Sequence, residues 1–230
     1  MIGIPTAISS GPDLRIWLVL AICLAASVGV FIYLIRRETV RRRNLLMRQW
    51  AAQRGLNELE LQSPHAKARL GPIASIAVKI FRIYADDSVA IVQVKTRESE
   101  LTGASSPFWN LLIRQLSSKW EPTALRPTAL DACLIDLMPI TSFPSLLTHP
   151  QFVVFGSDSR SARVLASGLP LKILPPDIGL LLEDNLLFLD FTDRPFDEIE
   201  FERMLELSRQ LAERLPNLDE ARTAELPRDF

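Results

Sequence analysis

An α+β fold is expected of this 230-residue chain: an N-terminal transmembrane helix that continues into a cytoplasmic stalk, then a mainly antiparallel sheet with helices on one face. Three observations predict it. Residues 16–35 run uncharged, two later stretches of β-branched residues read as hairpins, and the last third holds an amphipathic helix with clear start signals.

The uncharged run is IWLVLAICLAASVGVFIYLI, in which Ser27 is the only clearly polar side chain. At about 1.5 Å per residue it crosses the roughly 30 Å hydrocarbon core of a bilayer. Trp17 and Tyr33 lie near its two ends, where amphipathic rings favour the headgroup zone. A cleaved signal peptide would show a basic start, a shorter apolar core and a small-residue cleavage site; here the run ends in Ile-Arg-Arg.

Six arginines follow within thirteen positions, Arg36, Arg37, Arg41, Arg42, Arg43 and Arg48, opposed only by Glu38. This one-sided excess predicts that the C-terminal side stays in the cytoplasm, leaving residues 1–15 as a short extracytoplasmic tail of a bacterial inner-membrane protein. The bilayer is then a partner, and the six arginines are sites for orientation and for contact with anionic lipid headgroups. The whole chain holds 26 basic and 27 acidic side chains. Residues 1–48 take seven arginines, Asp13 and Glu38, so the remaining 182 residues have 19 basic and 25 acidic groups, net −6. A nucleic-acid partner is excluded on that ground, because the basic charge stops where the folded domain begins.

No Pro or Gly interrupts residues 36–54, and Gly55 is placed to end the helix in a left-handed cap. The basic juxtamembrane segment 36–54 would then extend the span to about 39 residues and ~58 Å. Val40, Leu46, Met47 and Trp50 could give this stalk an adhesive face, either against its own domain or against a second copy in a homo-oligomer.

The cytoplasmic α+β domain is placed at 55–215. Residues 75–84 and 89–95, SIAVKIFRIY and VAIVQVK, read as a hairpin around Ala85-Asp86-Asp87-Ser88. Residues 96–107 read as a loop, and Ser106-Pro107 as the start of a helix over 108–118 with Phe108, Leu111, Leu112 and Leu116 on one face. ACLIDL, from Ala132, reads as a strand holding Cys133. Phe152–Phe155 reads as a strand running into a short helix that ends by Gly168, with Asp158 and Ser159 as caps. Residues 179–182 and 186–191 flank Glu183-Asp184-Asn185 as a second hairpin.

In the final helix Asp197 and Glu200 have capping-box spacing, and Phe196 and Phe201 that of a hydrophobic staple. Phe201, Met204, Leu205, Ser208, Leu211, Ala212 and Leu215 form its apolar stripe. Pro216 ends it, and residues 216–230 are expected to be a disordered acidic tail. No repeat of 20 to 50 residues is visible, although two strand-hairpin-helix halves are imaginable.

The stretch HPQFVVFGSDSRSARVLAS with IGLLLEDNLLFLDF resembles a group of uncharacterised bacterial membrane-anchored proteins. They share a segment matched here by Phe152, Gly156, Asp158 and Arg163 and by the late hairpin, over residues 143–215. The resemblance implies an anchored cytoplasmic domain and no assigned reaction.

Chemistry-bearing constellations are sparse. His65 and His149 each stand beside a proline, without the two-histidine spacing of a metal site. No Gly-x-Ser-x-Gly elbow occurs, and Cys23 and Cys133 suggest neither a disulfide nor a metal site. Gly156–Ser161 could present backbone donors to an anion but lacks the phosphate-loop lysine. No catalytic residue, cofactor or metal is therefore expected. The leading expectation is a membrane-held binding or scaffold domain with an unknown protein partner. The alternatives are a membrane-tethered hydrolase or nucleotide-processing enzyme using Glu183, Asp184, Asp190, Asp193, Asp197 and Glu198, and a structural oligomer joined through the stalk. Alternation along LLFLDF would turn Asp190 to solvent.

Overall fold

A computed structural model of the protein describes residues 14–61, 63–96, 108–143, 145–157, 159–167 and 170–215. The fold is α+β, a long apolar N-terminal helix followed by an antiparallel sheet with helices. The chain divides into two units, Met1–Gln49 and Trp50–Phe230.

Helix α1 spans Leu14–Gln53. Gly55 follows at φ 74, the left-handed conformation that only glycine adopts without strain, and Leu56 N donates back to Ala51 O at 2.9 Å. Inside the apolar run Ser27 Oγ donates to Cys23 O at 2.8 Å, and in the basic segment that follows Thr39 Oγ1 donates to Ile35 O at 2.9 Å. The Ser27 hydroxyl is thus satisfied by its own helix, which is what an apolar surrounding requires.

In the second unit, β1 (Asn57–Glu58) and α2 (Pro64–Arg69) precede the first hairpin, β2 (Ala77–Ala85) with β3 (Val89–Thr96). Its turn is an Asx turn: Asp86 Oδ1 accepts from Ser88 N at 2.6 Å and Val89 N at 2.7 Å. The expected helix over 108–118 is instead the start of the longest strand, β4 (Trp109–Pro127). Next come β5 (Ser145–Thr148), β6 (Phe152–Gly156), α3 (Ser159–Ser167), α4 (Pro170–Ile173), β7 (Gly179–Asp190) and α5 (Glu198–Arg214). ACLIDL is not a strand either. Leu134–Leu137 form a 3-10 turn with Cys133 as its N-cap.

The sheet runs in the order β1-β2-β3-β4-β6-β5, and β7 pairs with β4. All pairings are antiparallel. Because β7 follows one edge of β4 from Leu111 to Leu125, β3 (on Trp109–Arg114) and β6 (on Thr123–Pro127) must share the other. Between the two arms the register breaks: Gln115 faces Leu186, Trp120 faces Asp184 and Thr123 faces Leu182. Asp184 takes φ 52 at this point, where the ribbon folds over. The expected second hairpin is therefore one bent strand whose arms pair with β4 and not with each other.

The bend is sharp enough to bring the ends of β7 together, since a Cβ on Gly179 would stand 3.3 Å from Asp190 Cβ. The core lies inside it. Trp109, Leu111, Ile113 and Phe188 from one arm share a cluster with Ala124 and Leu181 from the other, closed by Ala66 of α2 and by Leu134 and Ile135. On the opposite face, α5 packs over β4 and β7 and presents Phe201, Met204, Ser208 and Leu211 as buried residues. Phe201 is an aromatic hub, with ring centroids 4.5 Å from Phe196, 5.3 Å from Trp50 and 6.1 Å from Phe191. The Phe196–Phe201 contact is the staple expected from sequence. Of the expected capping box, Asp197 accepts from Glu200 N at 3.0 Å, but the Glu200 side chain turns to Arg194 and Arg203.

Gly179 has no room for a side chain, because an added Cβ would sit 2.7 Å from Cys133 Sγ and 3.2 Å from Ile135 Cδ1. Gly179→Ala should lower unfolding stability by about 1–3 kcal/mol through overpacking. Urea unfolding followed by tryptophan fluorescence checks this, and a midpoint equal to wild type would contradict it.

Residues 97–107, Asp158, Gly168 and 216–230 lie outside the described residues, and with them the expected Ser106-Pro107 helix start, the Asp158 cap and the acidic tail.

Candidate functional site

The six arginines singled out by sequence all sit on α1 and are all exposed. At about 100° per residue they point round the whole circumference of the helix and form a collar, not a stripe. Arg36 to Arg43 occupies about 10 Å of axial rise. Arg42 Nε pairs with Glu38 Oε1 at 3.1 Å, one turn away and open to solvent, so the pair contributes little stability. A collar of this kind can meet charge from any side, as a surrounding layer of headgroups would present it. It offers no one-sided docking face. Immediately before it, Trp17 to Ile35 expose large apolar side chains all round, and an 18-residue window of mean hydropathy 2.8 has none of its residues buried.

The acidic constellation is not brought together. Asp190 does not face solvent: it is 3% exposed. Both faces of β7 are covered here, so alternation has no wet side to turn it towards. Its Oδ2 accepts from Leu134 N at 2.7 Å and from Cys133 Sγ at 3.3 Å, while Oδ1 accepts from Thr192 N at 3.1 Å and Thr192 Oγ1 at 2.5 Å. Burial raises the pKa of this carboxyl, and the bonds from Thr192, Leu134 and Cys133 pull it back. Burial, with Asp190 beside it, likewise pushes the Cys133 thiol well up. The group takes up the first N–H of the 3-10 turn, next to its N-cap Cys133, at the point where the two ends of the bent ribbon meet.

The other acidic residues are spent or scattered. Asp193 and Asp184 are exposed, and Asp197 caps α5. The alternative reading of a hydrolase on this cluster is thus left without Asp190 and Asp193 converging, since one is buried and the other exposed. Among the described residues no group of three His, Cys, Asp or Glu could hold a metal ion. His65 is exposed on α2, and His149 accepts from Gln151 N at 3.2 Å and stacks on Phe152.

A polar seam that sequence reasoning missed runs beside Asp190. Asn110 donates through Nδ2 to Arg194 O at 3.1 Å and accepts from Gln93 Nε2 at 3.0 Å. Its backbone N–H donates to Thr192 Oγ1 at 3.1 Å. Arg194 clamps Asp177 through Nε and Nη2, both at 2.7 Å, and reaches Glu200 Oε1 at 2.5 Å. The guanidinium beside it holds Asp177 below the usual carboxylate range. The seam ties β3, β4, the chain after β7 and the start of α5 into one piece. Its signal in the sequence was only an Asn within an apolar run.

No protein family and no curated protein matches the chain. Among solved structures, the crystal structure of the mycobacterial trehalose monomycolate transport factor A, TtfA, is similar with a TM-score of 0.53 at 12% identity, over 73% of this chain and 91% of that one. At that identity the likeness is one of fold. It links the chain to a bacterial protein that shares this fold.

Proposed function

We propose that the protein is a single-pass bacterial inner-membrane protein whose second unit works in the cytoplasm as a binding or scaffold domain. The bare apolar surface of α1 followed at once by the arginine collar carries the reading. A helix that is apolar all round, with none of its apolar window buried among the described residues, fits a lipid surrounding, and a collar of arginines on its C-terminal side favours the cytoplasm for the domain. The collar would also draw anionic headgroups, at about 1 kcal/mol for each arginine near the surface. The structural neighbour is a transport factor, so support of a transport assembly is the role we favour for the scaffold.

Paired fusions after Phe230 test the orientation. A fluorescent protein that folds only in the cytoplasm should light up, and a phosphatase active only in the periplasm should stay silent. The reverse pattern removes the reading. Cross-linking in the same membranes tells whether a second copy pairs along the stalk, the homo-oligomer alternative.

A further inference from the structure

An open groove of about 340 Å³ lies on the α5 side of the sheet, beside the Asp86–Ser88 turn. Leu56, Val89 and Leu205 give it an apolar wall, and Arg54, Arg114 and Arg209 line it together with Asp86, Glu202 and Glu206. Its formal charge is balanced, but its pairing is not. Arg54 Nη2 meets Glu202 Oε1 at 2.5 Å, and the same oxygen accepts from Trp50 Nε1 at 2.8 Å. Arg209 holds Glu206 through Nε at 3.0 Å and Nη2 at 2.7 Å, and reaches Glu213 at 2.6 Å. Asp86 directs Oδ1 into its own turn, with Ser88 Oγ donating to it at 3.0 Å besides the two backbone bonds.

Arg114 and Asp86 are the exceptions: neither is in an ion pair with a described residue, and each feels the other's charge across the groove. Strand alternation turns Arg114 away from the core that holds Ile113, and its Nε donates to Ser208 Oγ at 2.8 Å. Among the described residues no carboxylate stands within ion-pair distance of it, and its two terminal nitrogens have no protein acceptor. Burial lowers its pKa, while Asp86 and Glu213 raise it and Arg209 lowers it; the group stays cationic throughout the physiological range. A half-buried guanidinium that lines a groove and is anchored at one edge, with its terminal nitrogens left without an acceptor among the described residues, is preorganised for a planar or tetrahedral oxyanion.

We propose that this groove binds a small organic anion, with a carboxylate or phosphate on the Arg114 fork and an apolar body against Leu56, Val89 and Leu205. The size suits a metabolite or the anionic end of a larger molecule. The proposal deepens the reading of this unit as a binding domain. It does not depend on the membrane orientation, because every lining residue belongs to the second unit.

Arginine labelling tests it on the full chain in phosphatidylcholine nanodiscs. Phenylglyoxal modification is followed by mass spectrometry in sodium phosphate, sodium succinate or sodium chloride at one ionic strength. Phosphate or succinate should slow modification of Arg114 about fivefold relative to chloride, as expected when free sites fall to about a fifth. Arg214, exposed in the last turn of α5 and outside the groove, should respond equally in all three. Which of the two anions protects identifies the headgroup chemistry. Leu205→Trp, which fills the groove and leaves the Arg114–Ser208 bond in place, should abolish the protection. Equal rates in all three salts, equal protection of Arg214, or protection that persists in L205W would each overturn the proposal. The three-salt comparison on the wild-type chain decides the matter even where L205W fails to fold.

Discussion

Asp190→Ala should destabilise the second unit by about 3–5 kcal/mol. The side chain is 3% exposed and accepts from Leu134 N, Cys133 Sγ, Thr192 N and Thr192 Oγ1, so its removal strands buried donors and opens a void. These donors come from the 3-10 turn and from the chain just after β7, and Gly179 packs against the same spot, so the loss would loosen both ends of the bent ribbon at once. Asp190→Asn keeps the volume and one acceptor oxygen, and about 1–3 kcal/mol is expected for it, the scale of a buried polar group left imperfectly paired. Urea unfolding of the full chain in detergent micelles, read by the buried Trp109 and Trp120, supplies the measurement. A carboxylate held for catalysis would behave in the opposite way, since its removal commonly leaves stability unchanged or raised. An alanine variant within about 0.5 kcal/mol of wild type would restore Asp190 as a functional candidate.

What could be read from the sequence followed from how many faces of each element touch water. The β2–β3 hairpin was legible because its turn is an Asx turn with Asp87 and Ser88 exposed at its tip and its strands are rich in β-branched residues. Helix α5 was legible because one side is wet and its start signals are local. Strand β4 was not. Residues 109–113 are buried on both faces, so alternation vanishes, and the spacing of Phe108, Leu111, Leu112 and Leu116 imitates a helix.

The same cause hid Asp190, because a rule about wet and dry faces cannot place a residue in a strand that has no wet face. Glu183-Asp184-Asn185 did mark a change of direction, but sequence cannot tell a turn between paired strands from a fold in a ribbon whose partner bends with it. The Arg114 groove was out of reach for a further reason. It joins a strand, a turn and a helix that meet only in the fold, and its distinguishing feature is a guanidinium that no described carboxylate pairs, beside two arginines that are paired. By contrast, the arginine collar needs no tertiary structure, and it stood in the sequence complete.

The second large effect is expected in the apolar run. Leu24 and Val28 lie one turn apart near the middle of residues 16–35, and both are exposed. Converting both to arginine should raise the cost of membrane insertion by about 5–8 kcal/mol, because each arginine at mid-span costs roughly 2.5–3.5 kcal/mol and each aliphatic side chain lost had contributed about 0.3–0.6 kcal/mol. The double variant should leave the alkali-resistant membrane fraction and appear in the soluble or aggregated one. The second unit, with its own core, should keep its unfolding midpoint. Changing all six collar arginines to glutamine isolates the other half of the reading: the chain should still insert, because the apolar run is intact, but its orientation should become mixed in the fusion assay. These two outcomes separate insertion from orientation. A double-arginine variant still resistant to alkali would mean that something other than this run holds the protein to the membrane. Unaltered orientation without the collar would leave the arginines with lipid contact as their remaining role.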